Sequence, residues 1–130
     1  MKPMKIIVMV ACLAGFLPVA VGQTKVPKRI TAAEAKDHVD ETVTVCGRAV
    51  DARIARYVIS GHGKPVEVNL DQPKTSPIFY FVTFAEKTHK PEEIEPMYVG
   101  KQVCVTGAVA MSQVVPFIMV TDPGQIKIQK

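Results

Sequence analysis

Val43-Thr44-Val45-Cys46-Gly47 and Val103-Cys104-Val105-Thr106-Gly107 are two statements of one pattern. Each alternates apolar and polar residues with a period of two, which is the signature of a strand with one buried face. Each then places a glycine inside the strand rather than after it. An interior strand glycine marks a bulge or a tight bend. Two long strands that both bend around a glycine are what a small, strongly curved sheet requires. Aligned on these glycines, Cys46 and Cys104 share a face, so a cross-strand bridge forms if the strands pair in the right register. The other reading is two buried thiols that only pack. A bridge would close a loop of about 59 residues and contribute on the order of 4 kcal/mol as an upper figure.

Working outward, Thr31-Ala-Ala-Glu34 has the form of a capping box, with Thr31 and Glu34 satisfying each other's backbone N–H groups. It predicts a helix of two turns from Ala32 to about Val39. The first strand starts at Thr42. Ser60-Gly61-His62-Gly63-Lys64 predicts a turn, Val66–Leu70 a second strand and Ile78–Ala85 a third. Asp71–Pro77 is a loop, and Lys87–Pro96 leaves room for one helical turn at Pro91–Ile94. Gly100–Ala110 and Pro116–Val120 read as the fourth and fifth strands, and Ile126-Lys127-Ile128 as an alternating tail. The expected fold class is all-β with one short N-terminal helix.

The chain has 130 residues, is 48% hydrophobic and 22% charged, and carries a formal charge of +4. These values suit one globular domain and exclude disorder, collagen and coiled coil. The N-terminus is compositionally separate. Lys2 and Lys5 precede an apolar run from Ile6 to Val21, and Ala20-Val21-Gly22 supplies small residues for cleavage. This reads as a secretory signal peptide over 1–22, followed by a tether at 23–30 and a domain at 31–130. The run is shorter than the roughly 20 residues of a spanning helix and contains Pro18, so no membrane span is expected in the mature chain. The expected location is periplasmic or secreted. Only six apolar residues precede Cys12, and apolar sequence continues past it, which weighs against a lipoprotein anchored there. With Lys2 and Lys5 removed the charge falls from +4 to +2, too little for an indiscriminate nucleic-acid binder.

The order of these stretches resembles a known group. It runs Ile30-Thr-Ala-Ala-Glu-Ala35, Val43-Thr-Val-Cys-Gly-Arg-Ala-Val50, Pro65-Val-Glu-Val-Asn-Leu70 and Phe79-Tyr-Phe-Val-Thr-Phe84. Tyr98-Val-Gly-Lys-Gln-Val-Cys-Val-Thr-Gly107, Pro116-Phe-Ile-Met-Val120 and Gln125-Ile-Lys-Ile128 complete it. The chain is similar to small exported bacterial OB-fold domains of the nucleic-acid-binding-like group, over about 100 residues. Related domains carry a glycine between the last two barrel strands, where this chain has Met111-Ser-Gln-Val-Val115. The resemblance implies a five-stranded Greek-key barrel. It also implies a ligand face on the second and third barrel strands, where aromatic rings stack bases and cations follow phosphates.

If Phe79 and Phe81 face inward, Tyr80 and Phe84 become the stacking candidates. Arg53, Arg56, Tyr57, His62, Lys64 and Lys74 would then form the adjoining rim. The expected ligand is single-stranded DNA or RNA. The alternative is an envelope protein docked by an exported interaction domain without nucleic-acid activity. Other chemistries find little purchase. Gly61-His62-Gly63-Lys64 lacks phosphate-loop spacing and reads as a hairpin turn. His38, His62, His89, Cys46 and Cys104 lack the short paired spacings of a zinc site, so neither metal nor cofactor is expected. His62 near Glu67 is the only base-and-orienter pair in view. No nucleophile has a recognisable local signature, and the expectation is a binding module rather than an enzyme.

Overall fold

The computed structural model describes residues 26–85 and 90–129. The segment 1–22 read as a signal peptide, Cys12 within it, and His89 lie outside the described residues. Seven strands form one sheet: β1 (Lys28–Thr31), β2 (Thr42–Ile54), β3 (Pro65–Leu70), β4 (Tyr80–Phe84), β5 (Gln102–Ser112), β6 (Val115–Met119) and β7 (Ile126–Ile128). A single α-helix among the described residues, α1 (Pro91–Tyr98), joins β4 to β5.

β2 and β5 organise everything else. Their N-terminal halves pair antiparallel from Thr42↔Ala108 to Arg48↔Gln102, and β1 and β7 flank them. Past Gly47 and Gly107 each strand changes partners. β2 crosses an irregularity between Ala49 and Asp51 and pairs with β3, while β5 pairs with β6. β3 pairs antiparallel with β4, and β4 pairs parallel with β6. The pairings therefore run in a circuit, β2 to β3 to β4 to β6 to β5 and back to β2. The glycines sit where the partners change. A Cβ on Gly107 would lie 2.6 Å from Ile118 Cγ2, and one on Gly47 2.9 Å from the Asp71 carboxylate.

Cys46 and Cys104 are directly opposite in the β2–β5 register and are joined by a disulfide. Inside the circuit lie Val43, Val45, Val66, Val68, Leu70, Phe79, Phe81, Val103, Val105, Val109 and Ile118. α1 closes one end of this core with Ile94 and Tyr98, the latter packed edge-on against Phe81 at 5.7 Å.

Several expectations need correction. Two strands join the five expected. Lys28–Thr31 falls mostly in the segment read as tether, yet it pairs parallel with Lys28↔Val43 through Thr31↔Cys46. The alternating tail pairs through Ile126↔Val105. The N-terminal helix is a single 3-10 segment, Ala32–Asp37, rather than two α-helical turns. Its capping box is present: Glu34 Oε1 accepts from Thr31 N–H at 3.0 Å, and Thr31 Oγ1 accepts from Glu34 N–H at 3.3 Å. The Thr31 N–H, and then the Thr31 hydroxyl, which donates to Glu34 Oε1 at 2.9 Å, hold the Glu34 carboxyl below its usual range. The segment stops early because His38 N–H bonds Ala35 O and the chain then turns through Asp40 at φ 71°. The α-helix lies instead at Pro91–Tyr98, eight residues where one turn was expected. In the β5–β6 hairpin, Gln113 takes the left-handed conformation at φ 56°.

Candidate nucleic-acid interface

Alternation along β3 and β4 fixes the outer face. Phe79 and Phe81 are fully buried with Val66 and Val68, so Tyr80 and Phe84 point away from the core and are half-buried. The cross-strand register stacks two rows on this face. One runs Asp51, Asn69, Tyr80, Phe117; the next runs Arg53, Glu67, Val82, Met119. Tyr80 and Phe117 are nearly parallel, 9° between planes with centroids 5.2 Å apart.

A buried carboxylate sits at the centre. Glu67 is 6% exposed. Its Oε1 lies 3.6 Å from Arg53 Nη2 and 3.6 Å from Lys74 Nζ. A carboxylate so far removed from water needs such compensation, since an unpaired buried charge is costly. Lys74 also stands over the Tyr80 ring, 5.9 Å from its centroid. The loop that carries Lys74 is pinned by Asp51, whose Oδ2 accepts from Lys74 N–H at 2.8 Å while its Oδ1 accepts from Asn69 Nδ2 at 2.8 Å. Asp51 can only accept, so this contact fixes the Asn69 amide and leaves its buried Oδ1 without a hydrogen-bond partner.

The β2–β3 connection borders the same face. Tyr57 is close enough that partial burial, then the charge of Glu67, push its phenol above the usual range. His62 packs on Phe84, with centroids 4.9 Å apart.

Of the rim anticipated from sequence, Arg53, Lys74, Tyr57 and Tyr80 gather around Glu67, and His62 and Phe84 form a neighbouring pair. Arg56 and Lys64 are exposed in the β2–β3 connection, with no contact joining them to this cluster. Glu67 partners Arg53 and Lys74, and His62 partners Phe84, so the base-and-orienter pairing of His62 with Glu67 is not formed. Sequence reasoning missed Asp51, Asn69 and Phe117. For Glu67 and Asn69 the signal was present: polar residues at alternate positions between Val66, Val68 and Leu70, all on the outward side.

The arrangement offers two stacked rings, two cations and two carboxylates, so its formal charges cancel. Among the described residues, no group of three or more His, Cys, Asp or Glu side chains is placed to hold a metal ion. No helix among them is long and apolar enough to cross a membrane.

No family model matches the sequence. No curated protein matches it either. Among solved structures, the chain is similar to one described as a putative aspartyl-tRNA synthetase from Leishmania major Friedlin. The sequences are 20% identical, the TM-score is 0.48, and the match covers 83% of this chain. The chain spans only 22% of that structure's length.

Proposed function

We propose that the chain is a non-enzymatic binding module built on a five-stranded OB-type Greek-key barrel, and that its outer β3–β4–β6 face takes single-stranded nucleic acid. The five strands are β2 to β6, with β1 and β7 as additions. The observation that carries the reading is the Tyr80–Phe117 stack, with Lys74 above Tyr80 and Arg53 one row away. Aromatic platforms bind bases of any sequence, and flanking cations follow the backbone. Glu67 and Asp51 cancel those cations locally, so most of the affinity should come from stacking. Export after cleavage near Gly22 belongs to the same proposal. The Cys46–Cys104 disulfide supports it, because such bonds persist in the periplasm and outside the cell.

The test is titration with labelled single-stranded DNA and RNA at two salt concentrations. With at most two phosphates neutralised, log affinity should fall against log salt with a slope of about −1.4. Tyr80→Ala should weaken binding several-fold through lost stacking. Absence of binding at low salt would remove the reading.

One observation favours a second reading, an exported domain that docks an envelope protein. The face is electrically neutral, and Tyr57, Val58 and Met119 are exposed. Its signature would be a salt-insensitive complex.

A further inference from the structure

Three cations without a carboxylate partner, Arg29, Arg48 and Lys127, lie on a different face from the aromatic stack. In the N-terminal halves of β2 and β5, Val43, Val45, Val103 and Val105 are buried. The alternate residues therefore point outward: Thr44, Cys46 and Arg48 on β2, and Gln102, Cys104 and Thr106 on β5. The register adds Arg29 from β1, opposite Thr44, and Lys127 from β7, opposite Cys104. Arg29, Arg48 and Lys127 are exposed. Among the described residues, none has a carboxylate within ion-pair distance; the ion pairs formed there are His38–Glu41 and those of Arg53 and Lys74 with Glu67.

No strand of this face contributes a carboxylate. Glu34 is held by Thr31, and Asp71 borders the face at Arg48, where its carboxylate accepts from the Arg48 N–H at 2.8 Å. The remaining groups are hydroxyls and amides, including the Thr44–Thr106 pair at 2.7 Å. There is no aromatic ring among them. The face can therefore hold anions and cannot stack bases.

Strand geometry puts Arg48 about 12 Å from Lys127 and roughly 14 Å from Arg29, too far for one phosphate to bridge. The three suit a chain of phosphates. The face is also continuous with the stacking face, because β2 runs through both. Arg48 lies just before the β2 irregularity and Arg53 just after it.

We infer that a bound single strand leaves the Tyr80–Phe117 stack, crosses the β2 irregularity, and lays its phosphates on Arg48, Lys127 and Arg29. This inference rests on the nucleic-acid reading of the outer face. It divides labour between the faces: rings hold bases where cations are neutralised by Glu67, and unpaired cations hold phosphates where there are no rings.

The experiment measures the salt dependence of a tetranucleotide and a 12-nucleotide single strand, with the protein and with the triple variant Arg29→Gln, Arg48→Gln, Lys127→Gln. The expected slope for the longer strand is steeper by roughly 2, from three further phosphates at about 0.7 each. The triple variant should return it to the tetranucleotide's slope and leave tetranucleotide affinity unchanged. Arg48→Lys should retain the steeper slope, separating charge from local structure. Equal slopes for both oligomers, or an unchanged slope in the triple variant while Tyr80→Ala still weakens binding, would overturn the inference and leave the outer-face reading standing. Failure of both oligomers to bind at low salt would overturn both. If heparin alone binds, and the triple variant loses it, the face serves a polyanion other than nucleic acid and the inference fails.

Discussion

Gly107 lies where β5 exchanges β2 for β6, and the space above its Cα belongs to Ile118. Gly107→Ala forces a Cβ to within 2.6 Å of a fully buried branched side chain. Overpacking of this kind costs about 1–3 kcal/mol. Gly47→Ala meets a carboxylate that can swing aside at the loss of its hydrogen bond to Arg48 N–H, costing about 1 kcal/mol. Urea denaturation should therefore rank Gly107→Ala as the more damaging of the two. Glu67 permits a sharper prediction. Glu67→Gln keeps shape and removes the charge that holds Arg53 and Lys74, so both cations become available to a phosphate backbone. Affinity for single-stranded DNA should rise and its salt dependence steepen. In the same variant, ultraviolet titration should find the Tyr57 phenol closer to its ordinary value, still raised by partial burial, the larger cause. An unchanged phenol would mean that Glu67 does not act on it. The glycines were legible in sequence because each interrupts an alternating pattern. Glu67 was half-legible: its outward phase in β3 could be read, but its partners lie 14 positions before it and 7 after it, and only the fold brings them together.

Among the elements, β2 and β5 carry the architecture, and the disulfide ties them at the row between Thr44–Thr106 and Arg48–Gln102. Cys46→Ser with Cys104→Ser frees a 58-residue separation in the unfolded chain, so stability should drop by up to about 4 kcal/mol. An unaltered urea midpoint would show that strand pairing alone holds this part of the sheet. The long strands were legible because a period of two persisted over many residues. β1 and β7 were not, for a physical reason. Lys28–Thr31 buries only Ile30, and Ile126–Ile128 is three residues long, so neither carries enough pattern to announce itself. Each becomes a strand because β2 or β5 offers an open edge. β7 is further set by Gln125, whose Oε1 accepts from Thr121 and Asp122 N–H while its Nε2 donates to Thr106 O. The 3-10 form of Ala32–Asp37 was equally hidden, since a capping box starts a helical segment and says nothing about its length. The longer α1 is explained by packing: Ile94 and Tyr98 are both needed at the end of the core, one helical turn apart.

At the scale of the whole molecule, the pairing circuit separates an inside, filled by valines and two phenylalanines, from an outside with two unlike faces. One stacks rings around a neutralised charge cluster; the other presents cations over a disulfide. Neither face was legible as a unit, because each draws residues from segments distant in sequence and depends on which strands become neighbours. Only the third-strand aromatics and the rim cations could be named in advance, and the rim divided, with Arg53 and Lys74 in the cluster and Arg56 and Lys64 away from it. The β3–β4–β6 face is proposed to hold single-stranded nucleic acid. The most direct test is amide chemical-shift mapping of the isotopically labelled protein, titrated with a tetranucleotide at low salt. Saturable shifts are expected, centred on Arg53, Lys74, Tyr80, Phe84 and Phe117. No shifts at millimolar tetranucleotide, or shifts confined to other strands, would contradict it.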